Sequence, residues 1–115
     1  MQELIIPLRW EHLDELLEHI NIRLINNLFP TILQIRTQTV VEELFYALLS
    51  LEDVANARLR CTYPAPQSIM LQYRNENGNL EPELTVLQRL LAGNSTYGVK
   101  AQFADGSCVI TVGEK

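Results

Sequence analysis

The sequence predicts an α+β fold: a two-layer sandwich with a mixed, mostly antiparallel five-stranded sheet covered on one face by three helices. Three observations predict it. Apolar residues in the first half recur at the 3, 4, 7 spacing of a helix stripe. The second half alternates apolar and polar residues at the strand period of two. The resulting order, strand, helix, helix, strand, strand, helix, strand, strand, lets helices shield one side of the sheet.

"ELIIPL" (3–8) reads as a short strand whose Pro7 marks an end or an edge, because proline cannot donate to a ladder. A helix is expected from Glu11 to Leu28, with Leu13, Leu16, Leu17, Ile20, Leu24 and Leu28 as its buried stripe. Glu11, Asp14, Glu15 and Glu18 fill its N-terminal half, where the helix dipole favours negative charge. Phe29-Pro30 ends it, and Thr31 is the expected N-cap of a second helix over 32–51. That helix is apolar nearly all round, which predicts a deep position, with one polar stripe of Arg36, Thr39, Glu43, Tyr46 and Ser50. "ANARLRCTY" alternates as a strand, "PAPQ" (64–67) is a turn and "SIMLQYR" (68–74) alternates again. "NENGN" (75–79) breaks regular structure, and "PELTVLQRLLAG" (82–93) reads as a short helix between Pro82 and a Gly93 C-cap. "YGVKAQF" and "SCVITVG" close as a hairpin across Ala104-Asp105-Gly106.

Composition bounds the function. At 115 residues the chain reads as one domain, 1–115, long enough to bury a core without metals or disulfides. A net charge of −5, with nine Lys and Arg scattered singly, argues against nucleic acid, which calls for a basic patch on the phosphates. No apolar run approaches the roughly 20 residues of a membrane span, and the N-terminus lacks the basic start of a signal peptide. Cys61 and Cys108, without CxxC spacing, are expected as free buried thiols, and the expected compartment is the cytoplasm.

Three segments, taken in order, carry a resemblance. "TQTVVEELFYALLS" resembles a helix motif in which Glu is followed four residues later by Asn. "SIMLQYRNENGNLEPE" resembles a strand and loop with Asp-x-Gly-x-Gly and a following acidic-Pro step. "LTVLQRLLAGNSTYGVKAQFADGSCVITV" resembles a closing helix and hairpin. Together, over nearly the whole chain, they are similar to the histidine-kinase-like ATPase (Bergerat) fold in its smallest form. That form is the anti-sigma regulatory factor, a serine-protein kinase of bacterial partner-switching systems.

The resemblance implies roles residue by residue, and several positions depart from it. The proposed catalytic base falls on Glu43. The Asn that holds Mg²⁺ against the phosphates falls on Ala47, whose methyl group cannot ligate a cation that demands oxygen. The adenine-contacting Asp falls on Asn75, which keeps an acceptor but loses the charge. The two loop glycines fall on Asn77 and Asn79, which add bulk where a ligand must come close, and the glycine-rich lid is missing before Pro82. Asn75, Asn77 and Asn79 therefore stand as a degenerate nucleotide loop and Glu43 as a vestigial base. Without the resemblance, Glu43 reads as a solvated helix residue interacting with Arg36 or Thr39.

Other candidates read as structural. His12 and His19, seven apart on one helix, are too distant to share a metal and are expected at the surface, so no metal site is assigned. Ser107 and Cys108 lack a sequence-placed base, Glu52 and Asp53 read as a polar helix end, and Trp10 is expected to pack as a staple or on the sheet edge. The expected function is a catalytically degenerate, protein-binding or dimerising module of bacterial regulation, without a cofactor. Its partner would be another protein or the chain itself, with the apolar "ELIIPLRW" as a docking edge. The alternatives are an active serine-protein kinase using Mg-ATP through divergent loops, and an unrelated α+β domain that shares only the order of elements.

Overall fold

In the computed structural model, residues 3–51, 54–75, 98–104 and 106–113 are described. Five strands form one sheet in the order β1-β2-β3-β5-β4, comprising β1 (Glu3–Pro7), β2 (Ala57–Ala65), β3 (Ser68–Asn75), β4 (Val99–Ala104) and β5 (Ser107–Val112). All four neighbouring pairs are antiparallel, so among the described residues the sheet is antiparallel throughout, without the mixed character expected. Two helices, α1 (Leu13–Asn26) and α2 (Thr31–Leu49), pack on it. The third expected helix, 82–93, lies outside the described residues.

Strand alternation splits the sheet into two unlike faces. Ile6, Ala57, Leu59, Cys61, Ile69, Leu71, Cys108 and Ile110 are buried towards the helices. Their neighbours Ile5, Arg58, Arg60 and Arg74 are exposed on the other side. The helices contribute Leu13, Leu16, Ile20 and Leu24 from α1, and Leu33, Val40, Val41, Leu44, Phe45 and Leu48 from α2, to the same core. A wholly buried leucine or phenylalanine contributes about 1.5 to 3 kcal/mol by leaving water. This one-sided core therefore dominates stability.

The boundaries differ from expectation for local reasons. A short 3-10 turn, Trp10–His12, precedes α1, and Trp10 is exposed rather than packed as a staple. Leu28 is neither helical nor buried. It stands after α1 with φ +59° and is 89% exposed. Its amide donates to the Ile25 carbonyl at 3.0 Å, and the Phe29 amide reaches back to Leu24 at 3.1 Å. Those two bonds are the Schellman closure of a helix, in which the left-handed position normally holds glycine. Phe29 serves as the apolar anchor and packs against the core. Gln34 fixes the turn by donating to the Phe29 carbonyl at 2.8 Å.

Thr31 is the first residue of α2, not its cap; Pro30, with extended ψ, holds that place without a side-chain hydrogen bond. Its fixed φ suits a helix entry, and its missing donor costs nothing there. One face of the helix is deep, with Val41, Leu44 and Phe45 wholly buried, while Ile32, Ile35 and Tyr46 remain about half exposed. Its polar stripe faces outward as the pattern predicts, with Thr39, Glu43, Tyr46 and Ser50 exposed and Arg36 half-buried. Thr37, wholly buried, meets its need by donating to the Leu33 carbonyl at 2.7 Å.

Strand β2 runs through Pro64 to Ala65, two residues beyond the expected end, and its pairing with β3 shifts between Thr62 and Ala65. A bulge of this kind accommodates a proline inside a paired strand. The last hairpin pairs Ala104 with Ser107, leaving the expected two-residue connection, in which Gly106 takes φ +76°.

Candidate functional site

Of the positions that the resemblance names, Glu43, Ala47 and Asn75 lie among the described residues. Glu43 lies on the solvent stripe of α2. Ala47, one turn on, faces inward and is 7% exposed, packed with the core. Four residues along a helix advance the direction by about 400°, so a small rotation past Glu43 carries position 47 under the helix. Asn75 ends β3, and its Nδ2 lies 3.4 Å from the Tyr73 hydroxyl. Asn77, Asn79, Glu52 and Asp53 lie outside the described residues.

Asn75 borders a concavity of about 690 Å³ whose other lining residues include Arg58, Arg60, Gln72, Arg74 and Ser107. Glu43 is not among the lining residues. The register explains the arginines: Arg58 pairs directly with Arg74, and Arg60 with Gln72, on the face away from the helices. Three cations that stand singly in the sequence are thereby neighbours on adjacent strands. The Arg58/Arg60 alternation was visible in the sequence. Arg74 joins it only through the β2–β3 register.

On this face Arg60 engages Glu3, with Nη2 at 2.6 Å and Nε at 3.1 Å from Oε2. The pair is about half exposed, so it adds little stability and mainly ties β1 to β2. The opposite layer is acidic, with Glu11, Asp14, Glu15 and Glu18 exposed along the first helical segments. Among the described residues, the open sheet face thus gathers arginines while the first helical segments carry exposed acids.

A second polar cluster lies where α1 crosses β2. The Tyr63 hydroxyl is 2.8 Å from His19 Nδ1, the two rings stack at 5.6 Å, and Arg23 lies 4.9 Å above the Tyr63 ring. His19 is thus half-buried and partnered rather than a plain surface residue. Burial lowers its pKa, and it raises that of Tyr63. A neutral imidazole can accept from the hydroxyl, and a phenol kept protonated can donate, so both shifts favour one tie between helix and sheet. Among the described residues, no three His, Cys, Asp or Glu side chains gather as a metal site, and His12 is not in this cluster.

The cysteines are free and buried. Cys61 and Cys108 both pair with Leu71, from opposite sides, which puts two strand spacings, roughly 9.6 Å, between them. A disulfide needs its Cα atoms within about 7 Å. Burial pushes the thiols up to about 11 at Cys61 and about 12 at Cys108. Native protein at pH 8 is expected to react with an aromatic disulfide reagent at least about a hundredfold more slowly than a free thiol. Two thiols should then appear on addition of urea. Rapid native labelling would contradict this packing. Ser107 borders the concavity while adjacent Cys108 points into the core, so alternation separates these two nucleophiles.

No helix of the described residues is long and apolar enough to cross a membrane. No protein-family model matches this chain, and no curated protein matches it.

Proposed function

We propose that this domain is an interaction module: a degenerate relative of the histidine-kinase-like ATPase scaffold that binds a protein partner, or a second copy of itself, in bacterial regulation without phosphoryl transfer. The observation that carries it is Leu28. Its side chain is apolar and 89% exposed, at a left-handed backbone position that glycine or asparagine fills at lower cost. Stability alone selects against leucine there, and residues held in costly conformations concentrate at functional sites. Ile22 and Ile25 on α1, and Ile32 and Ile35 on α2, flank the same turn and are each half exposed or more. Exposed apolar groups of this kind favour protein contact.

The case against turnover rests on position 47. Phosphoryl transfer is mostly positioning and charge neutralisation by metal and cations. The residue that the resemblance assigns to the metal is a core methyl group, and the residue it assigns as the base faces solvent.

Leu28→Gly tests the reading because it separates folding from binding. The monomer should gain about 0.5 to 1 kcal/mol in urea unfolding, as the strained leucine is removed. Association measured by sedimentation velocity, with itself or with a partner identified by crosslinking, should weaken at least tenfold. Association unchanged by this substitution, or a strict monomer with no partner, would defeat the reading.

A further inference from the structure

We infer that the open face of the sheet, opposite the helices, is a binding site for a small polyanion carrying adjacent oxyanion groups. Arg58 and Arg74 are directly opposed across β2 and β3, and like charges in that relation repel. Arg60 stands two residues along the same strand face, already held by Glu3. Among the described residues, that Glu3 contact is the ion pair on this face, and no described carboxylate pairs with Arg58 or Arg74. Opposed side chains on neighbouring strands start about 5 Å apart, and the next position along the strand about 7 Å away. Three guanidinium forks are thus within the span of two linked phosphates or carboxylates, the groups that their planar donors match bidentately.

The surroundings suit a small ligand. The concavity of about 690 Å³ lies within the usual range of small-molecule sites, and Gln72, Asn75 and Ser107 add neutral polar atoms at its border. Lys100 lies on β4, two strands from β3, and does not line it. Charge complementarity selects the occupant, since a ligand of two or more negative charges would relieve the Arg58–Arg74 repulsion. The site stands independently of the interaction surface at Leu28, on the other side of the sheet from the helices that carry that surface.

The experiment is a titration of ¹⁵N-labelled protein with sodium pyrophosphate and, separately, sodium citrate, at low ionic strength. Either anion should shift the amide resonances of Arg58, Arg60 and Arg74, and added sodium chloride should weaken the effect. A response to pyrophosphate alone assigns phosphate chemistry, and a response to citrate alone assigns carboxylates. The Arg58→Gln/Arg74→Gln variant should lose at least tenfold in affinity while unfolding at the same or a higher urea concentration. Lys100→Gln should bind as the parent does. Absence of shifts with both anions, binding that survives the double substitution, or binding confined to a twelve-residue thymidine oligonucleotide or polyglutamate would overturn the inference.

Discussion

Gly98→Ala is expected to destabilise the domain by about 3 kcal/mol or more, lowering its thermal midpoint by roughly 12 °C. Gly98 holds φ +82°, and a Cβ there would lie 1.7 Å from the carbonyl oxygen of Gly113. That oxygen belongs to backbone, so no side-chain rotation relieves the clash. The two glycines also share a hydrogen bond, from the Gly113 amide to the Gly98 carbonyl at 2.8 Å, which closes the ladder of the last two strands. Any shift that makes room for the methyl group strains that bond. Gly106→Ala is the matched control: φ is similar at +76°, but nothing lies within 4 Å of its added Cβ. It should cost only the left-handed penalty, about 1 kcal/mol. Equal losses in the two variants, measured by urea unfolding, would show that backbone conformation rather than the close approach governs Gly98.

Ala47→Asn is expected to cost about 2 to 4 kcal/mol and to confer no nucleotide binding. The substitution installs the residue that the proposed resemblance to the kinase-like family would place there. In an intact site its amide would meet a hydrated cation. Here the side chain of position 47 sits among core residues, on a helix whose preceding turn carries wholly buried Leu44 and Phe45. The added amide has to displace apolar neighbours or bury donors and an acceptor without partners. Urea unfolding reads the cost. A variant as stable as the parent would mean that a polar cavity adjoins this position.

The elements were legible where one hydrophobic stripe faces one core. The 3, 4, 7 spacing of Leu13, Leu16, Ile20 and Leu24, and the alternation of Ala57, Leu59 and Cys61, each describe a surface that the fold buries. Leu28 broke the pattern because its spacing is helical while the chain at Phe29-Pro30 closes through a left-handed residue. Sequence periodicity cannot distinguish those outcomes without the capping bonds. The second helix was expected to be apolar nearly all round, but counting apolar residues says nothing about how many faces have partners, and Ile32 and Ile35 stay half exposed.

The candidate site was less legible. The resemblance drew Glu43 from a helix motif and Asn75 from a separate strand-and-loop motif; Glu43 is exposed on α2, and the end of β3 puts Asn75 beside the arginines. The arginine cluster depends on pairing register, a long-range property absent from any short window. It contains Arg58, Arg60 and Arg74, three of the cations that appeared isolated along the chain.

Thermal unfolding with and without saturating Mg-ATP tests most directly the proposal that this domain binds no nucleotide. A ligand at a hundred times its Kd stabilises a folded domain by about 2.7 kcal/mol, roughly 10 °C for a chain of this size. The account predicts a midpoint that moves by less than about 1 °C with Mg-ATP or Mg-ADP. A rise of several degrees that disappears when magnesium is chelated would contradict it, and would return Glu43 to the list of working residues.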